Sequence, residues 1–193
     1  GIMLKNFAKV GVRHLGIEPS RNVAKVANEN GVRTLSDFFS EEVAEKIVRE
    51  EGQADAFLAA NVMYHIPDIL GVVKGIQKLL KPTGVVMFED PYLGDVIDKT
   101  SYDQIYDEHV FLFSAHSVQY MFELHDMELI DIVPQKTHGG SMRYVLGHAG
   151  AYPISEAVIN LLSKERALGL DKASTFETFR KKVELSRVEL VNL

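Results

Sequence analysis

The feature that most constrains the fold is a regular alternation of short apolar runs and amphipathic segments between residues 12 and 89. The apolar runs predict β-strands at residues 12–17, 32–35, 54–60 and 85–89. Between them, apolar side chains at helical spacing predict helices at residues 22–30, 41–51 and 69–80. This alternation favours a parallel sheet with helices on both faces. Ligands of such sheets bind beyond the carboxyl ends of the strands.

The second half of the chain predicts a different ending for this sheet. Residues 114–125 have a helical pattern, and strands are predicted at residues 127–133 and 142–147. Gly139 and Gly140 form a turn before the last strand, so we expect it to be antiparallel. From residue 155 onward the pattern is helical only. We therefore expect an α/β core over residues 1–151 and a helical extension over residues 152–193.

Composition and charge exclude several classes of function. The chain has 193 residues, a net charge of −6 and no cysteine. Its acidic and basic residues are mixed along the chain, which argues against nucleic-acid binding. No apolar run approaches the ~18–20 residues of a membrane span, and the first residues lack a signal-peptide pattern, so a cytoplasmic protein is expected. Without cysteine, neither a disulfide nor a thiolate nucleophile is available.

Polar side chains follow the predicted strands at the edge where a ligand is expected. Glu18 is placed to accept hydrogen bonds from ribose hydroxyls, and the alternative is a solvated acid. Asp37 and Phe38 offer a carboxylate and an aromatic surface for an adenine ring, although paired phenylalanines are also typical of a core. Asn61 begins the loop after the third strand.

The densest group of titratable side chains lies in residues 102–109. A histidine beside a carboxylate, such as His109 beside Glu108, can be held in one tautomer and made more basic, as proton abstraction next to a carbonyl requires. Tyr106 can donate a hydrogen bond to the developing enolate oxygen. His65 is a further candidate, with a helix-entry role as its alternative. The alternative for the whole segment is an exposed acidic loop.

Residues 137–143 combine two glycines with polar side chains at a predicted turn. Backbone amides freed by Gly139 and Gly140, with Arg143 nearby, suit phosphate or sugar oxygens. His138 and Ser141 belong to the same segment. A plain turn between two strands is the alternative interpretation.

Taken in order, these segments resemble the S-adenosylmethionine (SAM) dependent deoxysugar C-methyltransferases, which act on nucleotide-linked keto sugars. The resemblance runs from residue 1 to about residue 151. It rests on five motifs: Gly-Ile-Glu-Pro-Ser (16–20), Asn-Val-x-x-His-Ile-Pro-Asp (61–68), Leu-Leu-Lys-Pro-x-Gly (79–84), Tyr-x-Glu-His (106–109) and Thr-His-Gly-Gly-Ser-x-Arg (137–143). It implies a Rossmann-like class I methyltransferase fold with a doubly wound, mostly parallel sheet and an antiparallel last strand.

For the cofactor, the resemblance implies that SAM binds at the ends of the first strands. Glu18 would hold the ribose and Asn61 would lie along the cofactor. The region of Asp37 and Phe38 would lie at the adenine. No metal ion is needed for this scheme, and zinc is expected only in a cysteine-rich N-terminal module of the family that this sequence lacks.

For catalysis, the resemblance implies that His109 is a general base that removes the proton beside the keto group of the sugar. Tyr106, Glu108 and His65 would surround the reacting carbon. The resulting enolate would take the methyl group from SAM. The segment from His138 to Arg143 would bind the substrate.

The sequence also departs from the family pattern at its start. Family members have a Gly-rich turn after a central strand, and Gly1 matches the last glycine of that turn. We therefore expect the central first strand to be missing, SAM binding by this chain alone to be poor, and a homodimer through the exposed sheet edge to be one outcome.

Two other functions remain open on sequence grounds. One is a SAM-dependent methyltransferase that acts on an oxygen or nitrogen atom of a small molecule, with residues 106–109 only as a substrate loop. The other is a non-catalytic nucleotide-binding module. A nicotinamide dehydrogenase is disfavoured because no Gly-x-Gly-x-x-Gly motif is present.

Overall fold

The computed structural model describes residues 2–192, which form two β-sheets and their covering helices. The strands are β1 (Gly16–Ile17), β2 (Thr34–Leu35), β3 (Ala54–Ala60), β4 (Leu80–Pro91), β5 (Met127–Gln135) and β6 (Ser141–His148). The helices are α1 (Leu4–Lys9), α2 (Arg21–Glu29), α3 (Glu41–Glu51), α4 (Ile69–Leu79), α5 (Leu93–Lys99), α6 (Ala115–Glu123), α7 (Glu156–Leu168) and α8 (Ala173–Val191). Short 3-10 turns cover Met63–His65, Tyr102–Gln104 and Thr137–Gly139.

The larger sheet has the strand order β3-β4-β6-β5. Strand β3 runs parallel to β4, and β6 is antiparallel to both β4 and β5. Three strands therefore share one direction and the last strand opposes them, which confirms the predicted α/β class. The smaller sheet pairs β1 with β2 in parallel.

Strand β4 lies at the centre of the core. Its side chains alternate between the core and the other face, because successive residues of a strand point to opposite sides. Val86 and Phe88 are buried on the core side. The ring of Phe88 stacks on Tyr144 of β6 at 4.9 Å and on Phe122 of α6 at 6.0 Å. Aromatic pairs of this kind add to the free energy gained from burial alone.

The first predicted strand is much shorter than expected. Only Gly16 and Ile17 pair with a neighbouring strand, whereas residues 12–15 do not. Val12 instead donates its N–H to the carbonyl of Phe7 and accepts a hydrogen bond from the His14 ring. The segment is thus a turn that follows α1, a helix that the hydrophobic pattern did not predict.

Each sheet has a strand that is paired on one side only. Within residues 2–192, β1 pairs with β2 alone and β3 pairs with β4 alone. Their outer backbone groups have no strand partner in the part of the chain described, so both strands offer free edges for pairing.

The expected helical extension begins with a helix that belongs to the core. Val158 and Leu162 of α7 are buried in the same cluster as Phe88. By contrast, α8 has no buried side chain among its 19 residues. None of the helices within residues 2–192 is both long enough and apolar enough to cross a membrane.

Glu165 of α7 is a buried carboxylate, 1% exposed, that fixes the start of α6. It accepts hydrogen bonds from the N–H of Ala115 (2.7 Å) and of His116 (3.0 Å). The Tyr92 hydroxyl (3.0 Å) and the His116 ring (2.8 Å) also donate to it. The first amides of a helix have no partner within the helix, so this carboxylate satisfies donors that would otherwise be buried and unpaired.

Replacing Glu165 with Ala should therefore destabilise the fold. The change leaves several buried donors without an acceptor, and each such group is costly, so we expect a loss of about 3 kcal/mol or more in the free energy of unfolding. Denaturant unfolding measures it. The matched control is Glu177→Ala on α8, an exposed residue paired with Arg180, which should leave the unfolding midpoint unchanged. Equal midpoint shifts for both variants would contradict this role for Glu165.

Candidate active site

The loop of residues 61–66 is fixed to the carboxyl end of β4. Asp90, near the end of that strand, is fully buried and accepts hydrogen bonds from the N–H groups of Val62 and Tyr64, both at 3.2 Å. Asn61 donates its N–H to the carbonyl of Glu89 at 2.8 Å. The loop therefore continues the β3-β4 contact beyond the end of the sheet.

The same loop is joined to residues 104–111, which contain the predicted base. Phe111 donates its N–H to the carbonyl of Tyr64 at 3.1 Å. The Nδ1 atom of His65 lies 2.6 Å from the carbonyl of Glu108. Because a carbonyl only accepts, His65 donates from Nδ1. The two segments thus hold each other across the site.

His109 is held in one tautomer by a backbone carbonyl. Its Nδ1 atom lies 2.7 Å from the carbonyl oxygen of Gln104 and must donate to it. In the neutral ring, Nε2 is then unprotonated. That nitrogen is buried and has no hydrogen-bond partner in residues 2–192. The structure therefore presents a free basic nitrogen.

Aromatic rings surround His109. Tyr106 lies at 4.0 Å between ring centroids, Tyr64 at 4.3 Å edge-on and His65 at 5.1 Å. Tyr64 is buried, whereas half of Tyr106 is exposed. Across residues 2–192, histidines and carboxylates do not gather in groups of three or more that could hold a metal ion.

Burial lowers the pKa of His109 below its ordinary value, because removal from water disfavours the charged imidazolium. The Gln104 carbonyl acts in the opposite direction and raises it, and nearby His65 and His138 lower it further. The ring is therefore neutral, and able to accept a proton, at neutral pH.

The structure corrects the prediction that the Glu108 carboxylate orients His109. The Glu108 side chain is exposed and does not orient the ring, since Nδ1 faces the Gln104 carbonyl instead. Its charge raises the pKa of His109 only as a minor effect behind burial. Glu108 thus acts in the expected direction, but burial outweighs it and the net shift of the His109 pKa is downward. Glu108 does not orient the ring because the turn at residues 102–104 brings a main-chain oxygen closer than the neighbouring side chain.

The turn of residues 137–143 is anchored to Glu89. Arg143 donates to the Glu89 carboxylate from Nε (3.2 Å) and Nη2 (2.8 Å), and Thr137 donates its hydroxyl at 3.1 Å. Part of the Arg143 fork is thereby occupied. Ser141 is buried and donates to the Thr137 carbonyl, so its hydroxyl stabilises the turn.

The two glycines of this turn are required by its backbone. Gly139 has φ 78° and Gly140 has φ 142°, and a Cβ on Gly140 would overlap the Asp95 carboxylate. His138 also has a left-handed conformation, with φ 52°. His138 also acts, as the smallest of the influences on that ring, to lower the pKa of His109.

The predicted cofactor residues lie just after three strands, β1 and β2 of the smaller sheet and β3 of the larger one. Glu18, after β1, accepts the N–H of Ser20 at one carboxylate oxygen. Asp37, after β2, accepts the N–H of Phe38, whose ring is 74% exposed. Asn61, after β3, has a left-handed backbone and a buried Oδ1 without a partner. Within residues 2–192, no hydrogen bond or ring contact links Glu18 or Asp37 to His65 or His109.

Asp90 and the Gln104 carbonyl were not predicted from the sequence as parts of the site. Asp90 had a usable signal, since period two from Val86 and Phe88 places it on the buried face of β4. A buried acid at the end of a strand is uncommon unless its oxygens have partners. The Gln104 carbonyl had no signal, because a main-chain contact depends on the course of the loop.

This strand order and site geometry define a class I methyltransferase-like protein, and solved structures agree. A SAM-dependent methyltransferase from Anabaena variabilis matches with a TM-score of 0.59 at 16% identity, over 77% of this chain and 73% of that one. One from Clostridium acetobutylicum matches with a TM-score of 0.57 at 11% identity, over 78% and 80% of the two chains. These likenesses establish the fold.

Residues 1–132 match the family described as "Methyltransferase domain", and the chain belongs to that family. Residues 136–193 match "C-methyltransferase C-terminal domain". The chain is 34% identical to the C-methyltransferase NovU of Streptomyces niveus over 194 residues, which is 100% of this chain but 46% of that protein. An ubiquinone biosynthesis O-methyltransferase of Ralstonia nicotianae is 31% identical over 90 residues, 46% of this chain and 38% of that protein. The chain thus spans less than half the length of these relatives.

The tautomer and pKa of His109 can be tested directly. We expect long-range ¹H–¹⁵N NMR spectra to show the Nδ1–H tautomer at neutral pH and a titration midpoint below 6.5, because burial disfavours the imidazolium. The spectrum of a His109→Gln variant assigns the signal. A midpoint at or above 6.5, or an Nε2–H tautomer, would overturn the assignment.

Proposed function

We propose that the protein containing this chain transfers a methyl group from SAM to the carbon beside the keto group of a nucleotide-linked deoxysugar. The family membership and the similarity to NovU, a C-methyltransferase by name, support the methyl transfer. The sugar substrate rests on the motif resemblance. The observation that supports the chemistry most directly is the buried, unpartnered Nε2 of His109.

The proposed reaction needs a base and a hydrogen-bond donor to the oxyanion. His109 accepts the proton from the substrate carbon at Nε2, while the Gln104 carbonyl keeps Nδ1 protonated and stabilises the imidazolium that forms. Tyr106, whose ring lies tilted against His109, would donate its hydroxyl to the enolate oxygen. When bound, SAM would supply an electrophilic methyl group to the enolate carbon; its S–CH3 bond would break and S-adenosylhomocysteine would leave, while the substrate proton stays on His109.

Three structural observations support a fit of the residues present to SAM. Asn61 Oδ1 is a buried acceptor without a donor, and such an orphan is costly unless a ligand supplies one. Glu18 uses one carboxylate oxygen for Ser20, which leaves the other for a ribose hydroxyl. The exposed Phe38 ring provides a surface for adenine.

The turn of residues 137–143 is proposed to contact the sugar-nucleotide. His138 and the amides of Gly139 and Gly140 are its candidates for direct contact. Arg143 contributes the part of its guanidinium that Glu89 leaves free. Ser141 acts by supporting the turn.

Two further expectations remain proposals. The resemblance suggests that a strand preceding this chain in the intact protein pairs beside β1 or β3, whose outer edges are free within residues 2–192. A homodimer through such an edge is the second proposal. Calorimetric measurement of SAM binding to this chain, with and without the preceding strand, tests whether that strand is needed for binding.

An O- or N-methyltransferase is the alternative function, and the partial match to an O-methyltransferase supports it. Such an enzyme uses the same cofactor but does not need a base that removes a proton from carbon. A non-catalytic nucleotide-binding module would show no turnover at all.

The intact protein should exchange the substrate proton without SAM. In deuterated water, the base should exchange deuterium into the carbon beside the keto group, and His109→Gln should slow exchange and methylation at least about hundredfold. His125→Gln, outside the cluster, is the matched control. Methylation without exchange by the wild type would favour the O- or N-methyltransferase, and full activity of His109→Gln would remove the base assignment.

Glu18→Gln should weaken SAM binding without affecting exchange in the absence of SAM. A charged hydrogen bond contributes about 1.5 kcal/mol or more, so we expect the Kd for SAM to rise about tenfold or more in calorimetry. Glu29→Gln, an exposed acid at the end of α2, is the control. An unchanged Kd in the intact protein would place the ribose elsewhere.

A further inference from the structure

Asp90 is a buried acid that the proposed mechanism does not use. It is 0% exposed, and its two oxygens accept the N–H groups of Val62 and Tyr64. Among residues 2–192, no lysine, arginine or histidine forms an ion pair with it. A buried carboxylate without a cation is costly, and a functional role would explain its presence at the strand end.

The two amides that Asp90 holds belong to the loop that supports the base. The carbonyl of Tyr64 accepts the N–H of Phe111, and its ring packs edge-on against His109. The next residue, His65, donates to the Glu108 carbonyl. Contacts therefore run from Asp90, through residues 62–65, to both sides of His109.

We propose that Asp90 is a positioning residue that, through the loop of residues 62–65, holds His109 in place for proton abstraction. The inference rests on the proposed function of His109. Because Asp90 is fully buried, it acts through the loop and not by direct contact with a reactant. A misplaced base costs rate rather than binding, since an error of about 1 Å can cost roughly a hundredfold.

The same geometry makes the support sensitive to pH. The ionised carboxylate offers two good acceptors, whereas a protonated carboxyl offers one carbonyl oxygen and a weaker hydroxyl. Burial raises the pKa of Asp90 to about 7, although the N–H groups of Val62 and Tyr64 lower it. The other titratable groups that face it are Glu89 on β4, Tyr64 on the loop and Tyr144 on β6.

The sign of the effect follows from these pKa values. Above about pH 7, Asp90 is ionised and accepts hydrogen bonds from both amides, so the loop of residues 62–65 is held in position beside His109. As the pH falls through 7 the carboxyl gains a proton, one hydrogen bond weakens, and the rate should fall. His109, with its pKa below the ordinary value, adds a second loss at lower pH.

The test is Asp90→Asn in the intact protein, with Asp131→Asn on β5 as the matched control. We expect kcat for exchange and methylation to fall about tenfold to a hundredfold with KM nearly unchanged, and the pH step near 7 to disappear while the lower one remains. The control should keep both steps. An unchanged kcat and an unchanged pH profile in Asp90→Asn would overturn the proposal.

A readout without turnover separates this inference from the proposed function. In NMR titrations, the amide shifts of Val62 and Tyr64 and the ring shifts of His109 should move with a midpoint of about 7 in the wild type and not in Asp90→Asn. If the amides move but no substrate exchanges, the function of the base is wrong and the support by Asp90 stands. If the His109 ring is insensitive to Asp90, the positioning role fails.

Discussion

The candidate site depends on two adjacent acids at the carboxyl end of β4. Successive strand residues point to opposite faces, so Glu89 and Asp90 reach different loops. Glu89 binds Arg143 and Thr137 of the turn after β5, and Asp90 binds the amides of the loop after β3. One strand, fixed in the core by Phe88, therefore sets the position of both loops, and the loop after β3 contacts His109.

The environment of His109 reflects a compromise between reactivity and order. A solvated imidazole would have a higher pKa but no fixed nitrogen. Burial among aromatic rings lowers the pKa and removes competing water, and the Gln104 carbonyl restores part of the lost basicity while choosing the tautomer. The Nε2 atom left without a partner is unfavourable in the free protein. A reacting group that binds it would relieve that cost.

The sequence predicted the architecture better than the site. Helix α3 and strand β3 have their predicted bounds, because clear periodicity and capping residues define them. Residues 12–15 were assigned to a strand on apolar character alone, although Val12 is exposed in a turn. The cluster around His109 was predicted from residue types, whereas its orienting partner was not. The sequence shows which side chains are present. Every residue has a backbone carbonyl, however, and only the folded loop determines that the Gln104 carbonyl contacts His109.

The chain matches two families whose boundary lies beside residue 135, yet that boundary does not divide the structure. Strand β5 ends there, and β6, which lies in the second region, is inserted between β5 and β4 of the first. Helix α7 then buries Glu165 against the start of α6, so the second region also closes the core of the first. His109 and His138 come from different regions, yet His138 lowers the pKa of His109. The proposed base and the proposed substrate turn come from different regions, so the proposed site needs both, and the antiparallel β6 is the element that joins them.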